Sequence, residues 1–156
     1  MTRWLSRDQQ RYWRDFIAAH ILLHDRLSRE LQDSFDLTIG DYEIMVRLSE
    51  SPDHRMRMSE LADACMVSRS RLSHQIDRMS KAGYISRVQC PADRRGQFAK
   101  LTKSGMATLV AAAPVHVNGV RNHLLDVLTD AEFTALGKTL GKVARHLESL
   151  NGDASD

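Results

Sequence analysis

Short polar and basic side chains are concentrated at the start of one predicted helix, between residues 68 and 78. Ser68 is placed to cap this helix, and the apolar residues at 72, 76 and 79 would form its buried side. The other sides carry hydroxyl, guanidinium, imidazole and amide groups, which hydrogen-bond to phosphates and to base edges in nucleic acids. The candidate nucleic-acid-contacting residues are Ser68, Arg69, Ser70, Arg71, Ser73, His74, Gln75 and Arg78.

A shorter helix is predicted before this one, and a hairpin after it. Ser59 is placed to cap the shorter helix, and a tight turn separates the two helices. After Gly83 the hydrophobic period changes to the alternation typical of strands. Two strands are predicted at 84–88 and 97–101, joined by a basic segment at 91–96. This order of elements is that of a winged helix-turn-helix, whose second helix enters the major groove of DNA.

Charge is distributed unevenly along the 156 residues, although the formal net charge is only +2. Residues 55–105 hold eleven Lys and Arg against four Asp and Glu, a net charge of +7, and the remainder carries −5. A basic lobe in an acidic frame is the electrostatic pattern of a nucleic-acid-binding region. Charge alone leaves open a second interpretation, in which the basic surface is solvated and binds nothing.

Long helices are predicted on both sides of the basic lobe. Ser6 and Gln9 have the form of a capping box, and apolar residues then follow at helical spacing, which predicts one helix from about residue 7 to 33. A helix is also predicted from Thr102 to Leu128, with an interruption and kink at Pro114. A last helix follows a second capping box at Thr129 and Glu132. Apolar residues on several sides of these helices favour a homodimer.

Composition and motifs exclude several classes of protein. A hydrophobic content of 42%, with 27% charged residues and only 3 Pro and 8 Gly, is typical of a mostly helical globular domain. The longest apolar run, Leu109 to Val115, is far shorter than the roughly 18 residues of a membrane span, so a cytoplasmic protein is expected. No G-x-S-x-G, H-E-x-x-H, P-loop or G-x-G-x-x-G motif is present, so neither an enzyme nor a bound cofactor is predicted.

Three segments of the lobe resemble the MarR family of bacterial transcription regulators. They are Gly-Tyr-Ile-Ser-Arg at 83–87, Pro-Ala-Asp-Arg-Arg at 91–95 and Leu-Thr-Lys-Ser-Gly at 101–105. The resemblance implies a mostly α-helical single domain with a small β-hairpin wing. The implied parts are a winged helix-turn-helix lobe at 36–104, dimerisation helices at 1–35 and 105–150, and a frayed tail at 151–156.

The same resemblance implies roles for the residues of the wing. Asp93 would orient Arg95 into the minor groove of DNA, and Arg94 would contact a phosphate. A guanidinium group is favoured in a narrow, electronegative minor groove, so these roles are physically reasonable. The implied assembly is a homodimer that binds a pseudo-palindromic operator in double-stranded DNA, acts as a repressor and is released by a ligand.

The resemblance also implies a small-molecule pocket between the dimerisation helices and the lobe. Aromatic, aliphatic and imidazole side chains are predicted to line it, and this combination suits a planar aromatic acid. The candidate ligand-binding residues are Trp13, Phe16, Ile17, His20, His24 and His116.

Alternatives remain for the histidines, the cysteines and the whole protein. His20 and His24 lie four residues apart, so they could instead bind a metal with a third ligand, or be hydrogen-bonded core residues. Cys65 and Cys90 are too few for a disulfide scaffold. Cys65 is predicted on the buried side of the shorter helix and Cys90 at the end of a wing strand, and redox sensing is not favoured because buried thiols are usually inert. The alternative for the protein is a winged-helix module that docks to another protein without binding DNA.

Overall fold

The computed structural model describes residues 1–90 and 93–152, and the side chains at 93–95 and 151–152 lie outside this description. The chain divides into two compact units, Met1–Val117 and Asn118–Asp156. No helix in the described ranges is long and apolar enough to span a membrane. The elements, in chain order, are α1 Arg7–Phe35, α2 Ile39–Glu50, β1 Arg55–Arg57, α3 Met58–Ala64, α4 Arg69–Lys81, β2 Ile85–Cys90, β3 Asp93–Leu101, α5 Lys103–His123 and α6 Asp130–Gly152, with short 3-10 turns at Pro52–His54 and Leu125–Val127.

Helix α1 begins at the predicted capping box, in which the Ser6 hydroxyl accepts a hydrogen bond from the Gln9 N–H. It ends at Asp36, which adopts the left-handed conformation (φ 54°). Near the end of the helix, Leu27 and Leu31 are buried, so α1 contributes to the core of the lobe. The predicted helix is therefore confirmed, two residues longer than expected.

Helix α2 also begins with a capping box, at Thr38 and Asp41, which was not predicted from the sequence. The Thr38 hydroxyl accepts from the Asp41 N–H at 3.1 Å, and the Asp41 carboxylate accepts from the Thr38 N–H at 3.0 Å. After α2 the chain turns through Asp53 and His54, both with positive φ, and enters the short strand β1. The sequence analysis did not predict β1.

The helix-turn-helix consists of α3 and α4, as predicted, but the predicted cap of α3 is wrong. Helix α3 begins two residues earlier than a cap at Ser59 would allow, because β1 runs directly into it and Arg57 occupies the cap position. The Glu60 carboxylate accepts from the Arg57 N–H at 3.3 Å. The tight turn contains Met66 in the left-handed conformation, and Ser68 caps α4 by accepting from the Arg71 N–H.

The wing is part of an antiparallel sheet with the strand order β1-β3-β2. Pairing extends from Ile85 opposite Leu101 to Cys90 opposite Asp93, with an irregularity at Gln89 and Cys90. Strand β3 therefore begins at Asp93, so the prediction that the whole basic segment 91–96 is a connecting loop is wrong. Cross-strand pairing extends the ladder into it, and residues 91 and 92 lie outside the described part of the chain.

One apolar core holds these elements of the lobe together, and Leu31, Met45, Leu48, Leu72 and Ile76 in it have no solvent exposure. Such complete burial contributes roughly 1.5–3 kcal/mol per large aliphatic side chain. Helix α2, helix α4 and the sheet each contribute side chains to this core, so packing fixes the orientation of α4.

Helix α5 differs from the predicted pattern, whereas the start of α6 agrees with it. Helix α5 runs unbroken through Pro114 and ends at His123, so Pro114 does not interrupt it and the predicted end at Leu128 is too late. A proline removes only one N–H, and the neighbouring turns keep their hydrogen bonds. The predicted cap of α6 is confirmed, because the Glu132 carboxylate accepts from the Thr129 N–H at 2.8 Å.

Candidate nucleic-acid interface

Helix α4 has the two faces that its sequence predicts. Ile76 and Met79 are buried in the core, whereas Ser70, His74 and Lys81 are exposed on the opposite side. A helix with short polar side chains on its exposed face can approach a DNA groove closely, because no long apolar side chain obstructs it.

The N-terminal end of α4 is suited to bind phosphate. Arg69 and Arg71 are exposed there, and the unpaired N–H groups of the first turn add positive potential. The Ser68 and Ser70 hydroxyls lie 3.4 Å apart at the same end. These groups offer several donors to an anion that approaches the helix end.

Two of the candidate nucleic-acid-contacting residues, Gln75 and Arg78, form hydrogen bonds within the lobe. Gln75 Nε2 donates to Asp41 Oδ1 at 3.0 Å. Arg78 donates to the same carboxylate through both terminal nitrogens, at 2.7 and 2.8 Å. The structure thus holds the amide nitrogen of Gln75 and the guanidinium group of Arg78 against the start of α2.

The carboxylate of Asp41 is ionised in this environment. Burial raises the pKa of Asp41, but hydrogen bonds from Arg78, Gln75 and Thr38 more than compensate, so its pKa lies below the ordinary value. The sequence analysis missed Asp41. The Thr-x-x-Asp capping pattern at 38–41 could have shown its role at the start of α2, but not its partners in α4.

Arg87 is a second important residue that the sequence analysis missed. It lies on β2 and donates to Asp77 Oδ1 at 2.8 Å, to the Ser73 carbonyl and hydroxyl oxygens at 3.1 and 3.0 Å, and to Gln97 at 2.8 Å. Ser73, a predicted base reader, therefore uses its hydroxyl to accept from Arg87. This network joins the wing to the side of α4.

The predicted wing residues Asp93, Arg94 and Arg95 lie on β3, and their side chains are outside the described part of the structure. On β1, the guanidinium carbons of Arg55 and Arg57 lie 5.1 and 5.5 Å from the centre of the Phe98 ring. These cation–π contacts hold two more positive charges on the sheet.

The candidate ligand-binding residues of α1 are accessible in the single chain. Trp13, Phe16, His20 and His24 are exposed and Ile17 is half-buried. The Trp13 and Phe16 ring centres are 6.0 Å apart, and those of His20 and His24 are 6.3 Å apart. The interpretation of His20 and His24 as hydrogen-bonded core residues therefore does not hold for the single chain.

His116 lies elsewhere, on α5. Its ring packs against Tyr42, with 4.5 Å between the ring centres, and its Nδ1 is buried with no hydrogen-bond partner. The aromatic partner of His116 is thus Tyr42 of α2.

Acidification is expected to destabilise the packing of His116. Burial lowers the pKa of His116, so its folded pKa is below its unfolded pKa. The stabilisation is then complete above the unfolded pKa, about 6.5, and is lost as the pH falls through the folded pKa. In urea unfolding at pH 5 to 8, His116→Phe should make the free energy of unfolding depend less on pH below 6.5. The exposed control His146→Gln should leave that dependence as in the wild type, and an equal change in both variants would contradict this assignment.

The described side chains include no group of three or more His, Cys, Asp or Glu that could hold a metal. Cys65 and Cys90 are both free thiols. Burial raises the pKa of Cys65, so its reactive thiolate form is disfavoured. Cys90 is buried, with its Sγ 3.4 Å from a terminal nitrogen of Arg57.

Comparison with solved structures identifies the relatives of this fold. AbsC, a MarR family transcriptional regulator from Streptomyces coelicolor, is 49% identical in sequence and superposes with a TM-score of 0.90 over 95% of this chain and 99% of AbsC. The chain belongs to the MarR family. A sequence profile of the MarR family matches residues 37–96, which contain the helix-turn-helix and most of the wing.

Two further relatives agree with this assignment. A second MarR family regulator from Streptomyces coelicolor, solved in complex with DNA, is 43% identical with a TM-score of 0.92, over 94% of this chain and 92% of that one. The regulator PecS of Dickeya dadantii is 28% identical over 127 residues, which cover 81% of this chain and 76% of PecS. MarR family members are transcription regulators and not enzymes, so this MarR protein is a DNA-binding transcription regulator.

Proposed function

We propose that this MarR protein acts as a homodimer on a pseudo-palindromic operator, with α4 in the major groove and the wing in the minor groove of each half-site. The observation that carries this proposal is the exposed, polar N-terminal half of α4, which lies within the segment 55–105 of net charge +7. The 43% identical relative solved with DNA supports it. Arg95 would then probe the minor groove, Asp93 would orient it, and Arg94 would contact a phosphate.

Exposed apolar side chains on α1 and α6 support the homodimer. On α1, Trp13, Ile21 and Leu22 are at least half exposed, and on α6 a stripe from Phe133 to Leu150 is also exposed. Apolar areas of this extent on a soluble protein are typical of an interface. A dimer that covers an operator also excludes other proteins from the same DNA. This exclusion is the basis for proposing a repressor. The repressor is proposed to act in the cytoplasm.

DNA binding should weaken steeply as salt is added. If each subunit neutralises about four phosphates, the slope of log K against log salt should be roughly −7 for a dimer. Fluorescence anisotropy with a labelled duplex, selected from a random pool by the wild-type protein, measures this slope. A slope near zero, or no binding at low salt, would favour the alternative of a protein-docking module.

The effector is proposed to be a small aromatic acid that binds at the α1 residues Trp13, Phe16, Ile17, His20 and His24, with His116 as the predicted further contact. The α1 side chains carry the aromatic surface and two imidazoles, and a cavity of about 640 Å³ places His24 near Arg71 and His74 of α4. An acid bound at His24 would thus lie beside the residues proposed to contact DNA.

Salicylate should release the selected operator duplex, because its ring can pack on the aromatic side chains of α1 and its carboxylate can accept a hydrogen bond from an imidazole N–H. His20→Ala and His24→Ala should each weaken this release, which a competition titration would measure. Undiminished release from both variants would contradict the effector proposal. Zinc-dependent DNA binding, without any response to aromatic acids, would instead support His20 and His24 as metal ligands.

A further inference from the structure

We infer that Asp41 is a specificity-determining positioning residue, which holds Gln75 and Arg78 of α4 so that the protein distinguishes its operator from other DNA. The inference rests on the proposed function, and it assigns to α2 a part in DNA recognition. Asp41 itself lies on α2 and acts through the two α4 residues.

The buried carboxylate of Asp41 accepts hydrogen bonds from both α4 residues and from its own helix cap. Its side chain is 1% exposed, and Asp41 is the one buried charged residue among the described side chains. Oδ1 accepts from Gln75 Nε2 and Arg78 Nη2, and Oδ2 accepts from Arg78 Nη1 and the Thr38 N–H. These four hydrogen bonds fill the lone pairs of the carboxylate, so it joins the start of α2 to α4.

Arg78 would be a sequence-independent DNA contact without this partner. Its side chain is 54% exposed, and it follows Gln75 by about one turn on the helix proposed to enter the groove. An exposed arginine at such a place is attracted to any phosphate. Asp41 occupies the planar fork of the guanidinium group and neutralises its charge, so this attraction is reduced.

Gln75 is held in one orientation by the same carboxylate. Because Asp41 Oδ1 can only accept, the amide nitrogen of Gln75 must face it, and the amide oxygen is left to accept a hydrogen bond. Such an acceptor distinguishes bases that present an amino group in the major groove. A freely rotating glutamine would offer either group and would discriminate less.

Because Gly40 has no side chain, the Gln75 amide has room to reach Asp41. A Cβ atom at position 40 would lie 2.8 Å from Gln75 Nε2, closer than non-bonded atoms come. Gly40→Ala should therefore push the Gln75 amide away from Asp41 without changing any charge. Alanine is also the better helix former, so this variant should fold as well as the wild type.

The first test compares DNA affinities of the full-length protein and Asp41→Asn by fluorescence anisotropy. The probes are the duplex selected by the wild-type protein and a scrambled duplex of the same composition, each at several salt concentrations. Asp41→Asn should bind the scrambled duplex about threefold to tenfold more tightly, with a salt slope steeper by about one per subunit, because Arg78 gains access to phosphate. The ratio of operator affinity to scrambled affinity should fall by about tenfold.

Two controls separate pairing from the general effect of charge. Asp63→Asn removes an exposed negative charge from the same lobe and should leave the affinity ratio near that of the wild type. In an Arg78→Met background, Asp41→Asn should no longer raise the affinity for scrambled DNA.

Gly40→Ala should lower the ratio of operator affinity to scrambled affinity about threefold with an unchanged salt slope, because only the contact of Gln75 is altered.

The inference is overturned if Asp41→Asn changes the two affinities by the same factor, or if it behaves as Asp63→Asn does. Should Asp41→Asn fail to fold, Gly40→Ala decides alone: an unchanged affinity ratio in a folded protein overturns the inference. Failure of the proposed function would look different, since the wild-type protein would then select no duplex from the pool.

Discussion

Replacing Arg87 with methionine is expected to weaken operator binding by about 2 kcal/mol, roughly thirtyfold, which is a large effect for a residue that need not touch DNA. Arg87 is only 26% exposed, and it joins β2 to Asp77 and Ser73 of α4 and to Gln97 of β3. Hydrogen bonds that involve a charged group each contribute about 1.5–3 kcal/mol when they are shielded from water. Methionine keeps the apolar stem but makes none of them.

Arg87→Met should reduce the magnitude of the free energy of DNA binding by more than it lowers the free energy of unfolding. The core of the lobe, including Ile76 and Met79 of α4, does not depend on Arg87, and Asp77 is 54% exposed, so solvent screens much of that ion pair. By contrast, DNA binding requires the wing and α4 to fit two grooves at once. A wing that moves relative to α4 must be ordered on binding, at a cost in conformational entropy.

Anisotropy titrations and thermal melting of Arg87→Met measure the two effects together. Arg87→Lys should recover part of the affinity, because it keeps the charge but cannot reproduce the forked contacts. Arg47→Met is the matched control, since Arg47 makes an exposed pair with Glu43 on its own helix. If the loss of operator affinity in Arg87→Met only follows its melting temperature, Arg87 has no role in orienting the wing.

Local features of this fold were predictable because they depend on neighbouring residues. The capping boxes at Ser6 and Thr129, the cap at Ser68 and the two faces of α4 each follow from spacings of three or four residues. The left-handed Gly83 (φ 81°) after α4 was predictable for the same reason, because glycine adopts this conformation without strain.

Features that depend on distant residues were not predictable. Strand β1 has only three residues, and it forms because β3 offers an edge. The contact of Asp41 with Arg78 spans 37 positions, and the hydrogen bond from Arg87 to Ser73 connects a strand to a helix. No spacing pattern in the sequence indicates such distant pairs. Consequently, the sequence predicted which side chains could contact DNA, but not that Ser73, Gln75 and Arg78 are committed to other partners.

Deleting residues 1–33 is expected to unfold the lobe, whereas deleting only residues 1–24 should leave it folded but monomeric. The difference between the two variants includes Leu27 and Leu31, which are 6% and 0% exposed. Removal of a buried leucine costs about 2–5 kcal/mol, and two such losses approach the total stability of roughly 5–15 kcal/mol of a typical domain. Circular dichroism and thermal melting would measure the loss of structure.

The shorter deletion tests the proposed dimer separately from the fold. It removes Trp4, Trp13, Phe16 and Leu22, which are exposed in the single chain and so contribute little to its core. Sedimentation should therefore show a folded monomer, and the salt slope of DNA binding should fall to about half, near −3.5, because one lobe contacts about four phosphates. A dimer formed by residues 25–156 would assign dimerisation to the other exposed apolar stripe, on α6. A folded protein of residues 34–156 with the wild-type melting temperature would show that the lobe does not need the buried end of α1.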